Sequence, residues 1–278
     1  MQRDYIARFM ANPGAVVGLI FLAAVIAGSI VAPMFLGANP WEVAGRPFIP
    51  PGQDGFLMGT DMLGRDVALA VLYGTRFSLL IGVGSMLAAV LIGATLGAVA
   101  GYAGGWVDDL LMRITEFFQI LPSLVLILVL VAFMGASVYS VIIGIGVITW
   151  PNVARVMRAE VMSLRNREYV EAARVIGQRP LTILVVQILP NAMPPVIVIA
   201  SLMIASAILT ESALSFLGLG DPNIMTWGYM IGTSREYLRF AWWISLFPGL
   251  AIISTVLAIN FVGDGLAAAL NPRMEEGR

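Results

Sequence analysis

The sequence predicts an all-α, polytopic membrane protein with six transmembrane helices and both termini on the cytoplasmic side. Three observations lead there. The 278 residues are 59% hydrophobic and only 12% charged, with a mean hydropathy of +0.90, whereas soluble domains are about half apolar and a quarter charged. Five long stretches carry no charged residue at all. The arginines are distributed unequally between the segments that join them.

The uncharged stretches are Ala15 to Phe35, Phe77 to Val107, Phe117 to Ala154, Pro180 to Thr210 and Phe240 to Gly263. Backbone groups in hydrocarbon have no water partner, so spans of this length and apolarity must be helices. The third stretch, with 38 residues, would make a helix of about 57 Å at 1.5 Å per residue, against a hydrocarbon core of about 30 Å. It must double back, and Gly135, Ala136 and Ser137 mark the turn. That brings the count to six. The first stretch is longer than the apolar core of a signal peptide and lacks a small-x-small cleavage site, so it reads as a retained anchor.

Every one of the 16 basic residues is Arg. With the N-terminus inside and alternation across six spans, the inner side holds Arg3, Arg8, Arg113, Arg155, Arg158, Arg165, Arg167, Arg174, Arg179, Arg273 and Arg278. The outer side keeps Arg46, Arg65, Arg76, Arg235 and Arg239, a split that obeys the positive-inside rule. The chain divides into an anchor helix with its outer loop (1–76), a five-span core (77–266) containing a cytoplasmic loop (155–190), and a cytoplasmic tail (267–278). A second outer segment runs from Gly218 to Trp243.

Absences exclude whole classes of chemistry. Without Cys or His there is no disulfide, no thiolate or imidazole metal site and no Ser/His dyad, and the only candidate for a paired intramembrane aspartate site is Asp264. No catalytic residue and no metal ligand is expected. Without Lys there is no phosphate-binding loop of the GxxxxGK[ST] type, so any ATP must be bound by another chain. A net charge of −1 supplies no basic face for nucleic acid.

The inner loop is the one extended polar segment on the cytoplasmic side. Ala159 to Gly177 reads as a helix, with Val161, Leu164, Tyr169, Ala172, Ala173 and Ile176 on an apolar side and Gly177 as its stop. Arg165, Arg167, Glu168, Glu171 and Arg174 make a polar face. Such a helix can lie on lipid headgroups or dock into a partner's groove, and small residues at 172 and 173 favour close docking.

The string EAARVIG (Glu171 to Gly177), followed by ILPN (Ile188 to Asn191), resembles the EAA loop of ABC importer permeases. Gln187 stands where the common form of the motif has isoleucine, a departure usual in the peptide-permease branch. ARFMANPGAVVGLIFLAAVI near the start resembles the amino-terminal segment of one of the two peptide-permease subunit types. Gly59 to Gly82, Gly101 to Leu126 and Leu209 to Ile231 are similar to further family blocks, in the same order. The resemblance implies the type I ABC importer permease fold in a bacterial inner membrane and a path for peptides or similar small solutes. It also implies a sister permease, one or two ATPase subunits that bind ATP and Mg, and an extracytoplasmic solute-binding protein. In that family the loop is a coupling helix seated in a cleft of the ATPase, so Glu171, Ala172, Ala173, Gly177, Arg167 and Arg174 become the coupling residues, within a helix over 165–177.

Other residues carry two readings each. Glu211, at the outer end of the fifth span, either lines the solute path or sits at the water interface; Asp264 poses the same choice at the inner end of the sixth. Asp61, Arg65 and Asp66 read as anchors of the outer loop. Pro122 and Pro151 punctuate helices, while Pro190, Pro194 and Pro195 either do the same or stiffen the joint between loop and fifth span. Gly93 and Gly97 suit close helix packing within the chain, with contact to a sister permease as the second reading. An ATP-independent secondary transporter or channel is the alternative function, and the charge-free spans argue against it.

Overall fold

The structure, a computed structural model, describes residues 2–36 and 39–270. A short helix α1 (Gln2–Met10) leads into α2 (Pro13–Leu36). The longest span, α3 (Val67–Ala103), is followed by α4 (Gly105–Ile120), α5 (Ser123–Met134) and α6 (Val138–Leu164). Helix α7 (Glu168–Val175) lies in the loop before the fifth span. That span comprises α8 (Pro180–Thr182), a π-helical stretch (Ile183–Ile188) and α9 (Leu189–Phe216) in unbroken succession. On the opposite side α10 (Trp227–Ser234) precedes the last span, α11 (Trp243–Leu270).

Among the described residues five helices are long and apolar enough to cross a membrane, and α4 with α5 make a sixth crossing bent by 88°. The bend follows from Pro122, which starts α5 and leaves Leu121 extended. The pair still tracks α6 from end to end: Asp108 meets Arg158, Phe118 meets Trp150 edge to face at 5.5 Å, and Ile127 and Val131 lie against Gly144. The reversal occurs at Gly135 to Ser137, with Gly135 at φ 86° and the Ser137 hydroxyl accepting from the Ser140 N–H.

The centre of the bundle is the α3–α6 contact, the most extensive in the molecule. Glycines on α3 set it: a Cβ on Gly93 would stand 2.5 Å from the Trp150 carbonyl oxygen, and one on Gly97 would strike the Ala154 carbonyl. Both glycines therefore serve packing within this chain. Two extended apolar clusters fill the bundle, one around Met157, Val170 and Ile188, the other around Ile81, Val141 and Leu214.

Two boundaries differ from expectation. The second span starts ten residues earlier than the charge-free stretch, at Val67, because Asp66 caps it by accepting from the Ala68 N–H at 2.8 Å. Arg76 then lies inside the helix and directs its guanidinium to the Ser29 and Ile30 carbonyls of α2, at 2.7 and 3.2 Å. A division at residue 76 thus cuts a helix. At the other end, α11 takes in residues 267–270 of the expected tail; 271–278, with Arg273 and Arg278, lie outside the described residues. The loop between α2 and α3 is tied by the expected residues: the Asp61 carboxylate accepts from the Leu63 and Arg65 N–H groups at 2.8 Å each, and Arg65 lies over the Trp41 ring.

Candidate coupling surface

At the C-terminal end of α6 the backbone stops at Leu164 and Arg165 folds back. Its guanidinium donates to the Gly101 carbonyl at 2.9 Å, satisfying an end carbonyl of α3 where the helix dipole also favours a cation. Gly104, at φ 67°, leaves room: a Cβ there would stand 3.0 Å from that guanidinium. Arg167 is extended and Glu168 opens a new helix. The expected single helix from Ala159 to Gly177, and the 165–177 helix within it, is therefore two helices with a break at residues 165–167. The capping contact of Arg165 gives the reason for the break.

Helix α7 ends on a full Schellman motif: the Gln178 N–H donates to the Ala173 carbonyl at 3.1 Å and the Gly177 N–H to the Arg174 carbonyl at 3.0 Å. Gly177 sits at φ 77° with open space where a Cβ would stand. Glycine is thus required there by backbone conformation rather than by crowding. Glu168 and Glu171 occupy the first turn and Arg174 the last, each with the sign that the helix dipole favours. The Arg174 guanidinium also reaches the Arg165 carbonyl at 3.3 Å.

The two faces of α7 differ from the expected pattern. Val170 and Ala173 are buried against Met157, Val161, Ile183 and Ile188 and fasten α7 to the spans. Glu171 and Ala172 face outward, as do Tyr169, Val175 (86% exposed) and Ile176 (74%). The neighbouring alanines therefore divide: Ala172 is offered to the surroundings while Ala173 is part of the chain's own core. Tyr169 and Ile176, expected on the inward side, are on the outward one. Val170 was missed as an anchor, although its i,i+3 spacing from Ala173 carries the signal.

Beyond the loop, Gln187 donates to the Gln178 side chain at 3.2 Å, and the Asn191 amide donates to the Gln187 carbonyl at 2.7 Å. The π-helical turn lies just before Pro190, which has no N–H for the carbonyl four residues back. The joint to the fifth span is thus a continuous but widened helix.

Glu211 is 2% exposed and lines no open path in this structure, nor does it sit at a water interface. One carboxylate oxygen accepts from Ser215 and Thr226 at 2.8 Å each, and Thr226 caps α10 by accepting from the Tyr229 N–H. The carboxylate anchors α10 to α9. Asp264 is exposed near the end of α11. No group of three or more acidic residues, His or Cys comes together as a metal site among the described residues.

Residues 93–276, well over half of the chain, match the family model described as the binding-protein-dependent transport system inner membrane component. The chain belongs to this permease family. Residues 2–51, spanning α1 and α2, match the N-terminal transmembrane domain of oligopeptide transport permease C. The permease is 40% identical to the di/tripeptide transport system permease protein DppC of Pseudomonas aeruginosa, over 98% of this chain and 92% of that one. It is 35% identical to the oligopeptide transport system permease protein OppC of Bacillus subtilis, over 99% and 91%. Its fold resembles that of a chain in inward-facing structures of the MetNI methionine ABC transporter, with a TM-score of 0.60 at 18% identity, covering 73% of this chain and 96% of that one. The permease is accordingly a multi-pass inner-membrane transport subunit of an ABC importer, and its membership favours that function over an ATP-independent transporter.

Proposed function

We propose that this permease carries peptides, or small solutes like them, through half of a translocation path completed by a sister permease, and that α7 couples it to a separate ATPase. The observation that supports this most is the two-sided α7. Its Val170–Ala173 side is built into the spans, and its other side leaves Tyr169, Ala172, Val175 and Ile176 uncovered beside Glu171. A short helix rigidly joined to two spans, with an uncovered apolar and acidic face, fits a groove in a partner. The side carrying α7 is then cytoplasmic, as are both termini, and ATP and Mg are bound by one or two ATPase subunits. The outer loop and α10 face an extracytoplasmic solute-binding protein. Peptides as cargo accord with the names of the di/tripeptide and oligopeptide relatives.

The test is to purify the tagged chain gently from its own membrane and identify what accompanies it, beside a Glu171→Arg, Gly177→Pro double variant. Recovery of an ATPase and a second permease with the native chain is expected, with the ATPase lost from a variant that still inserts. A chain that purifies alone and moves solute without ATP overturns the proposal.

A further inference from the structure

Helix α4 has three sides. At about 100° per residue, Asp108, Thr115 and Phe118 share the side packed on the bundle, where Asp108 holds Arg158 and Phe118 meets Trp150 edge to face. Trp106, Leu110, Ile114 and Phe117 share an exposed apolar side suited to lipid. The third side carries Asp109, Arg113 and Glu116. Across from it α6 presents Arg155 and Arg158, and the two helices flank an open polar cleft of about 590 Å³. Beside it Gln119 donates to the Asn152 side chain at 3.5 Å.

Glu116 is the last charge before the charge-free run of this hairpin begins at Phe117, and Arg155 is the first after it ends at Ala154. The polar cleft thus lies where the apolar part of the α4–α6 hairpin ends, on the α7 side. Asp109, Arg113, Glu116 and Arg155 form no ion pair within 4 Å among the described residues. All four side chains are exposed and Arg155 donates to the Asn152 side chain at 3.4 Å, so the charges on α4 are left for water or a ligand to meet where the apolar span gives way. The cluster carries both signs, two carboxylates and two guanidiniums, where a carrier of one ionic species would show a ring of one sign.

We propose that the α4–α6 cleft is the cytoplasmic mouth of the solute path, and that Asp109, Arg113, Glu116 and Arg155 form a transient site for zwitterions bearing a free ammonium and a free carboxylate. The carboxylates meet the ammonium and the guanidiniums the carboxylate. The assignment rests on the importer reading and names the part of the path this chain supplies. Because the charges stay hydrated, the site holds solute weakly enough to release it inward.

The chain has no cysteine, so single cysteines report access directly. In inverted membrane vesicles holding the whole complex, Glu116→Cys should react with a charged, membrane-impermeant thiol reagent, while Phe117→Cys on the lipid side should not. An unreactive Glu116→Cys, the result if the sister permease or lipid seals the cleft, overturns the proposal. In proteoliposomes supplied with binding protein and ATP, Glu116→Gln and Arg155→Gln should each lower di-alanine uptake at least five-fold per assembled complex. Uptake within two-fold of the native complex in both variants overturns it even where the cysteine reacts, and labelling decides the matter where a variant does not assemble. A native complex with no ATP-dependent di-alanine uptake would instead remove the importer reading for this solute class.

Discussion

Gly177 separates conformational from steric constraint at a single position. Its φ of 77° costs an L-residue about 1–2 kcal/mol, yet no atom lies within 4 Å of where a Cβ would be. Gly177→Ala should therefore loosen the end of α7 and reduce solute-dependent ATP hydrolysis, and Gly177→Asn, which tolerates this conformation, should recover most of it. Gly97 is the opposite case, an ordinary helical glycine pressed on the Ala154 backbone. Gly97→Val should destabilise the α3–α6 contact by about 1–3 kcal/mol, read as a lower midpoint in a denaturing-detergent titration. Asp108 is a third: removing it strands Arg158, whose side chain is 33% exposed, so Asp108→Ala should cost about 2 kcal/mol, less than the loss of a fully buried pair. The roles of Gly97 and Gly177 were legible in the sequence, as spacing in one case and a helix stop in the other. The Asp108–Arg158 pair was not, because its members lie fifty positions apart and nothing local links them.

Helix α7 shows what can be read at the scale of an element and what cannot. Ala172→Arg adds bulk and charge to the outward face and should leave the bundle folded while reducing solute-dependent ATP hydrolysis at least ten-fold. Ala173→Arg forces a cation into the apolar cluster around Met157 and Ile188 and should lower the yield of inserted protein, measured by membrane fractionation. An amphipathic helix in this loop was legible from its periodicity. The assignment of faces was not, since the sequence was read as one helix through Arg165, and the break at 165–167 shifts every later residue around the axis. Arg165 reads as one more exposed charge until α3 is beside it. Likewise the charge-free run beginning at Phe117 gave the turn at Gly135, whereas the 88° bend at Leu121 and Pro122 depends on how α4 and α5 follow α6.

At the scale of the molecule, hydropathy and the long charge-free runs were enough for a helical membrane bundle, because lipid allows few alternatives. Glu211 marks the limit of that reading. An acid near a span end suggests a path or an interface, and only the position of Thr226 above it, fifteen residues away, makes it an anchor for α10. The bundle places α7 between α6 and the fifth span, so movement imposed on α7 is passed to both. Coupling through the outward face of α7 is the central claim, and cross-linking tests it most directly. In the assembled, otherwise cysteine-free permease, Ala172→Cys should form a cross-link to the ATPase with a short bifunctional thiol reagent, and ATP should change its yield, while Ala173→Cys should form none. A cross-link from Ala173→Cys but not from Ala172→Cys, or none from either in a complex that still transports, would contradict the account.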